Sequence, residues 1–267
     1  MPDPAAPTPI SPHVRWTRDD AVLTVTLARP EARNALTREM REELDRVLAW
    51  CEGEGSVRVV VLAGDGPAFC AGQDLKESAG PAGPAESVEA KLRGDFQTRL
   101  ASLPQVTIAA LHGAVVGRGL EIALTCDIRV AGDDATFALP EVGLGMIPAS
   151  GGTQRLPRLV APARALDIIL SGERVDASTA LSWGLVTRLV PLAELAPTVR
   201  ELARRIATHA PIALRYAKRA VLEGEHLALS EGLHLEATLA ALLRTTDDRA
   251  EGIRAFREKR PPRFTGR

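Results

Sequence analysis

The chain has 267 residues, 45% hydrophobic and 25% charged, with a formal net charge of −1. That balance describes a soluble globular protein long enough for a substantial core, and no window reaches the ~18 uninterrupted apolar residues a spanning helix requires. Lysine occurs only at Lys76, Lys91, Lys218 and Lys259, with no basic run or aromatic interleaving to track a phosphate backbone, which excludes nucleic acid as a main partner.

The proline-rich opening, MPDPAAPTPISP, lacks the basic start and apolar core of a secretory signal, and residues 1–13 read as a disordered tail. Val22 to Leu27 alternates as a strand does, and Arg29-Pro30 breaks it. From Thr37, a helix N-cap followed by Glu39, the spacing places Met40, Leu44, Val47, Leu48 and Cys51 on one face until Gly53 and Gly55. Val57 to Leu62 is a continuous apolar run, as in a strand buried on both faces. Residues 77–89 are too rich in Pro, Gly and Ser for regular structure; they read as a mobile loop bordering a site or as an unconstrained surface loop.

The stretch from Gln105 to Leu156 organises the rest. An apolar run, Val106 to Leu111, ends in a turn bearing Gly113, Gly117 and Gly119, which opens onto a helix pattern near Leu120. Such a turn leaves backbone N–H groups aimed outward at the positive end of a helix, where developing negative charge is stabilised. Glu121 stands in the first helical turn, and Glu141 follows a second apolar run, Ile128 to Leu139. Two carboxyls beside an anion-binding loop point to acid–base chemistry at a carbonyl. On position alone, Glu121 reads first as a dipole-compensating residue and Glu141 as a solvated turn carboxylate; it is the combination that favours chemistry. Beyond Pro191 the pattern is helical: Leu192, Leu195, Val199, Leu202 and Ile206, then 211–222, 227–243 and 248–258.

Cys51, Cys70 and Cys126 are odd in number and outside any C-x-x-C pattern, which predicts reduced thiols in a cytoplasmic setting. The five histidines form no ligand spacing, so no metal is expected. Cys70 reads as a packing residue.

The segments FCAGQDLK (69–76), HGAVVGRGLEIALTCD (112–127) and LPEVGLGMIPASGGTQRL (139–156), with SGERVDASTALSWGLVTRLVP (171–191) and TDDRAEGIRAFREKRPPRF (246–264), resemble the crotonase superfamily, the enoyl-CoA hydratase/isomerase family. The resemblance runs from about residue 14 to 264. It implies an α/β fold, a spiral of repeated ββα units over 14–191, followed by a helical trimerisation region over 192–267. It implies an acyl-CoA thioester substrate and a homotrimer, usually paired into a hexamer. Carried over residue by residue, the thioester oxygen accepts from the backbone N–H groups of Gln73 and Arg118. Glu121 activates water and Glu141 delivers a proton to the α-carbon. Arg33, Ala71, Gly72, Asp74, Leu75, Lys76 and Lys259 are the candidates for holding coenzyme A, which is part of the substrate and not a resident cofactor. Both glutamates of the family's hydratases are present. Hydration of a 2-enoyl-CoA is therefore the expected activity, with a double-bond isomerase, another acyl-CoA lyase or a non-catalytic acyl-CoA-binding paralogue as alternatives. One departure stands out, because the family has three glycines in the turn where this chain has Gly117-Arg118-Gly119. If Arg118 has negative φ, its side chain is expected to run to solvent or to a neighbouring subunit.

Overall fold

The computed structural model describes residues 8–77 and 95–267; from residue 78 on, the loop expected to border the site lies outside the described residues. β1 (Val14–Asp19) and β2 (Val22–Leu27) form an antiparallel hairpin. From β2 the large sheet grows by parallel pairing through β3 (Val59–Gly64), β4 (Val106–Leu111), β6 (Ile128–Gly132) and β9 (Arg188–Val190), in that order. A smaller sheet is made of β5 (Ala114–Val116), β7 (Thr136–Ala138) and β8 (Val175–Asp176). The apolar run expected over 128–139 is thus two strands, one in each sheet. Residues 68–70 extend the smaller sheet by bridging Gly113 and Val115.

This alternation is what winds the chain. Each turn lays one strand in the large sheet, rounds a corner and lays a second in the small one. Gly113 makes one such corner at φ +51, where a side chain would strike the Pro67 carbonyl.

The helices fill the inside of the spiral and then its outside. In α1 (Arg38–Gly53), Thr37 Oγ1 accepts from Met40 N at 3.1 Å, and Met40, Leu44, Val47, Leu48 and Cys51 are buried at helical spacing, as the sequence predicts. α2 (Phe96–Ser102) begins at the N-cap Asp95, and α3 (Arg118–Thr125) follows β5 directly. α4 (Gly152–Val160), α5 (Pro162–Ser171) and α6 (Ala177–Ser182) continue the winding. α7 (Leu192–Ala207), expected as the start of an appendage, packs Leu195, Val199, Leu202 and Ala203 against Val59, Val61, Ile108 and Val130, closing the second face of the large sheet. That second burial explains the continuous apolar runs of β3 and β4.

α8 (Pro211–Gly224), α9 (Leu229–Leu243) and α10 (Asp247–Glu258) bury little within the chain: none of the residues of α8 and only Leu239 of α9. Of the segment expected to be a disordered tail, residues 8–13 lie against α1. There the Ile10 amide donates to Glu43 Oε2 at 2.9 Å, Arg46 donates to the Thr8 carbonyl, and Ser11 is buried.

Candidate active site

The segment 68–74 runs between two walls. On one side the Ala71 amide donates to Arg33 O, the Leu36 amide to Gly72 O, and the Asp74 amide to Leu36 O, at 2.8–3.0 Å. On the other side the Cys70 amide donates to Ala114 O and the Val116 amide to Cys70 O, each at 3.0 Å. A strand presents successive N–H groups to opposite edges, and a residue flanked by two bonds to one neighbour faces away from it. Gln73 lies between the two residues that bond Leu36, so its own N–H faces the edge where β5 ends and α3 begins. There Arg118 is the first residue of α3 after the N-cap Gly117, a position whose N–H has no partner within the helix.

The two turns approach closely because both are glycine. Gly72 has φ +106, and a Cβ on it would lie 3.1 Å from Val116 O and 3.6 Å from Arg118 N. Gly117 has φ +55 and ψ −127, a conformation only glycine adopts readily. Gly119 packs on Cys70, where an added Cβ would lie 2.8 Å from Cys70 Cβ and nearer still to its carbonyl oxygen.

Two carboxylates stand at this junction. Glu121, 3% exposed, projects from α3, and its Oε1 accepts from Ser150 N at 2.7 Å and Gly152 N at 2.9 Å. It thereby caps the start of α4, a structural role that leaves its second oxygen to the site. Both bonds fall on one oxygen, so Oε2 carries neither. Glu141 sits in the 3₁₀ turn Pro140–Leu144, with Oε1 3.0 Å from where a Gly117 Cβ would be and Oε2 buried with no hydrogen-bond partner. Burial pushes its carboxyl above the usual carboxylate range, and the nearby Glu121 carboxylate adds to the shift. Two acidic groups held apart in environment, one accepting amide bonds and one desolvated, can divide base and acid roles between them.

Arg118 departs from expectation. Its φ is not positive, but its side chain does not run to solvent. The side chain is 12% exposed, and its guanidinium donates to Asp95 Oδ2 at 2.7 Å, Gln97 Oε1 at 2.9 Å and Gln73 Oε1 at 3.3 Å and lies 5.7 Å from the centre of the Phe96 ring. Burial pulls its pKa down, and the neighbouring Arg41 adds to that. Three residues unremarked in the sequence, Asp95, Phe96 and Gln97, thus surround it; none has a local motif to announce it.

The remaining candidates divide. Leu75 and Lys76 are exposed beyond Gln73, and Arg33 is exposed at φ +50. Asp74 is taken up structurally: Arg29 donates to it at 2.6 Å and holds its carboxyl below the usual range, and its other oxygen accepts from the Lys76 amide. Asn34, not singled out in the sequence, is fully buried at φ +58 and ties this wall together through its amide to Asp65 O and Ala68 O. Lys259 stands apart, an exposed left-handed C-cap of α10, and no hydrogen bond or ion pair among the described residues joins it to 71–76. Burial pushes the Cys70 thiol up to about 12, so it is not a nucleophile at neutral pH. Among the described residues no group of three His, Cys, Asp or Glu could hold a metal ion, and no helix is long and apolar enough to cross a membrane.

Comparison with known proteins gives the family and the fold. The family model described as Enoyl-CoA hydratase/isomerase matches residues 17–267. The chain is 41% identical over 253 residues to 2,3-dehydroadipyl-CoA hydratase of Escherichia coli (strain K12), covering 94% of this chain and 97% of that one. It is 40% identical over 248 residues to (E)-benzylidenesuccinyl-CoA hydratase of Thauera aromatica, covering 92% and 96%. The crystal structure of an enoyl-CoA hydratase from Bacillus anthracis superposes with a TM-score of 0.90 at 38% identity, covering 96% of this chain and 100% of that one.

Proposed function

The chain belongs to the enoyl-CoA hydratase/isomerase family, and on that premise we propose that it adds water across the double bond of a 2-enoyl-CoA to give a 3-hydroxyacyl-CoA. The thioester oxygen accepts from the backbone N–H groups of Gln73 and Arg118. Glu121 takes a proton from water as its oxygen bonds the β-carbon, the charge passes to the thioester oxygen, and Glu141 gives its proton to the α-carbon. One such backbone donor lowers the barrier by about 3–4 kcal/mol in comparable sites. The observation that carries the reading is the pair of carboxylates at the meeting of the two glycine turns, the one that lies against Gly117 having its proton favoured by burial.

Coenzyme A enters as part of the substrate, along the face of Arg33 and Ala71 to Lys76, and the reaction needs no resident cofactor. Lys259 serves the coenzyme A part in its own subunit or in a neighbouring one. The assembly is a trimer or a pair of trimers, supported by Leu229, 80% exposed, and Phe256, 84% exposed, on helices that bury little in their own chain. The protein works in the cytoplasm, in keeping with its three unpaired cysteines.

The test is incubation with crotonyl-CoA, following loss of the enoyl thioester absorbance. A 3-enoyl-CoA that isomerises while crotonyl-CoA takes up no water would make the protein an isomerase. Acyl-CoA binding with no turnover of either would make it a binder.

A further inference from the structure

Beside the Arg118 guanidinium lies a cavity of about 500 Å³, lined also by Phe96 and by Arg38, Arg41 and Arg46 of α1. Its arginines differ in how they are answered. Arg38 pairs with Glu42, Arg46 with Glu43 and Arg118 with Asp95. Asp45, a further acid of the lining, is taken by Arg99 from outside it. Arg41 has no ion-pair partner among the described residues, and its Nε donates only to the Thr37 carbonyl at 3.3 Å. It nonetheless stands near enough to Arg118 to add to the lowering of that group's pKa. Among the described residues the Asp95 carboxylate is taken by Arg118, which leaves the Arg41 charge without a carboxylate of its own beside the mostly buried Arg118. The buried Gln97 side chain adds an orphan donor, since its Nε2 has no acceptor although its Oε1 takes the Arg118 Nε. Among the described residues, donors thus outnumber acceptors beside Arg118, which suits the place to an anion.

Resting on the hydratase reading, we propose that this cavity receives a carboxylate carried on the acyl portion of the substrate, held by Arg41 together with Arg118. The cavity begins one side chain away from the candidate thioester donors, because Arg118 offers its N–H to the oxyanion and its guanidinium touches the Gln73 side chain. That is too near the thioester for the phosphates of coenzyme A, which stand a pantetheine arm away. The Phe96 ring supplies an apolar wall for intervening methylenes. The substrate class is then a 2-enoyl-CoA with an acidic group farther along the chain.

The test compares two six-carbon 2-enoyl-CoA thioesters, one ending in a carboxylate and one in a methyl, with the wild type and with Arg41→Gln, which leaves the backbone donors and both glutamates in place. The expected result is a kcat/KM at least about tenfold higher for the carboxylate, a preference that Arg41→Gln removes while changing the methyl substrate less than about threefold. Equal loss on both substrates would assign Arg41 to the coenzyme A part and overturn the proposal, as would a wild-type preference for the methyl compound. If neither thioester is hydrated, the hydratase reading fails by itself. The proposal is then read from the binding of the two saturated thioesters, where tighter binding of the carboxylate by the wild type and not by Arg41→Gln upholds it, and equal affinity refutes it.

Discussion

Replacing Gly119 by alanine tests whether the meeting of the two turns sets the rate. A Cβ at this position would lie 2.8 Å from Cys70 Cβ, where ordinary contact begins at 3.4 Å, and the Cys70 carbonyl is nearer still. Neither obstacle is the far end of a flexible side chain, so the helix start must move from the 70–73 segment by roughly 1 Å, a misplacement that costs on the order of 10²-fold in rate. The candidate donors Gln73 and Arg118 sit on opposite sides of that contact, so the shift falls directly between them. Overpacking of this kind also destabilises by about 1–3 kcal/mol. Thermal melting should therefore show a folded but weakened protein, and crotonyl-CoA hydration a kcat about 10²-fold lower. Gly53→Ala is the control. That position, in the last turn of α1, has nothing within 4 Å, and alanine there should raise stability by about 0.5–1 kcal/mol with kcat unchanged. A Gly119→Ala enzyme with kcat within threefold of wild type would refute the claim that the spacing of the two turns governs the reaction.

Glu121→Gln and Glu141→Gln should each lower hydration by roughly 10²–10⁴-fold with folding intact, since glutamine at 121 still offers an oxygen to the Ser150 and Gly152 amides; near-normal turnover in either variant would remove that residue from the mechanism. The raised pKa of Glu141 also predicts a pH dependence of stability. A carboxyl with a higher pKa folded than unfolded binds its proton more tightly in the native state, so its contribution is fully present below the unfolded value and is lost as pH rises through the folded one. Melting temperatures of Glu141→Gln should therefore match wild type in acid and exceed it toward neutral pH; parallel curves would contradict this. Light scattering should give a trimer or hexamer, and Phe256→Asp should shift it toward smaller species, whereas a wild-type monomer at micromolar concentration would contradict the assembly.

What could be read from the sequence was what depends on near neighbours. The Thr37 cap and the apolar face from Met40 to Cys51 repeat at helical spacing, so they needed no knowledge of the rest. Glu121 and Glu141 were singled out because together they frame a glycine turn and match motifs of the family that the chain resembles, although each alone read as structural or solvated. The strands β5, β7, β8 and β9 escaped because two or three residues are too few to show a period. The side chain of Arg118 was misjudged for a different reason. Its partners, Gln73 and Asp95, lie 45 and 23 positions away and meet only when successive turns of the spiral stack. Local pattern has no term for such contacts. The acceptor role of Glu121 toward Ser150 and Gly152 belongs to the same kind, 29 and 31 positions off.

The winding that places one strand of each turn in either sheet makes this part of the molecule a short solenoid, and solenoids couple mainly through nearest neighbours. The candidate donor walls come from the turns that begin with β3 and β4, and Glu141 with the amides that hold Glu121 comes from the turn that begins with β6. The middle turn, carrying Arg118 and Glu121, pairs its strand β4 with both β3 and β6. Loosening there would uncouple the candidate oxyanion wall from the Glu141 wall at once, while loosening at β1, which pairs with β2, would have to pass through β2 and the Arg33 to Leu36 segment behind it to reach the site. Hydrogen exchange should accordingly find the amides of Val115, Glu121 and Val130 opening as one cooperative unit, with the hairpin exchanging independently of it.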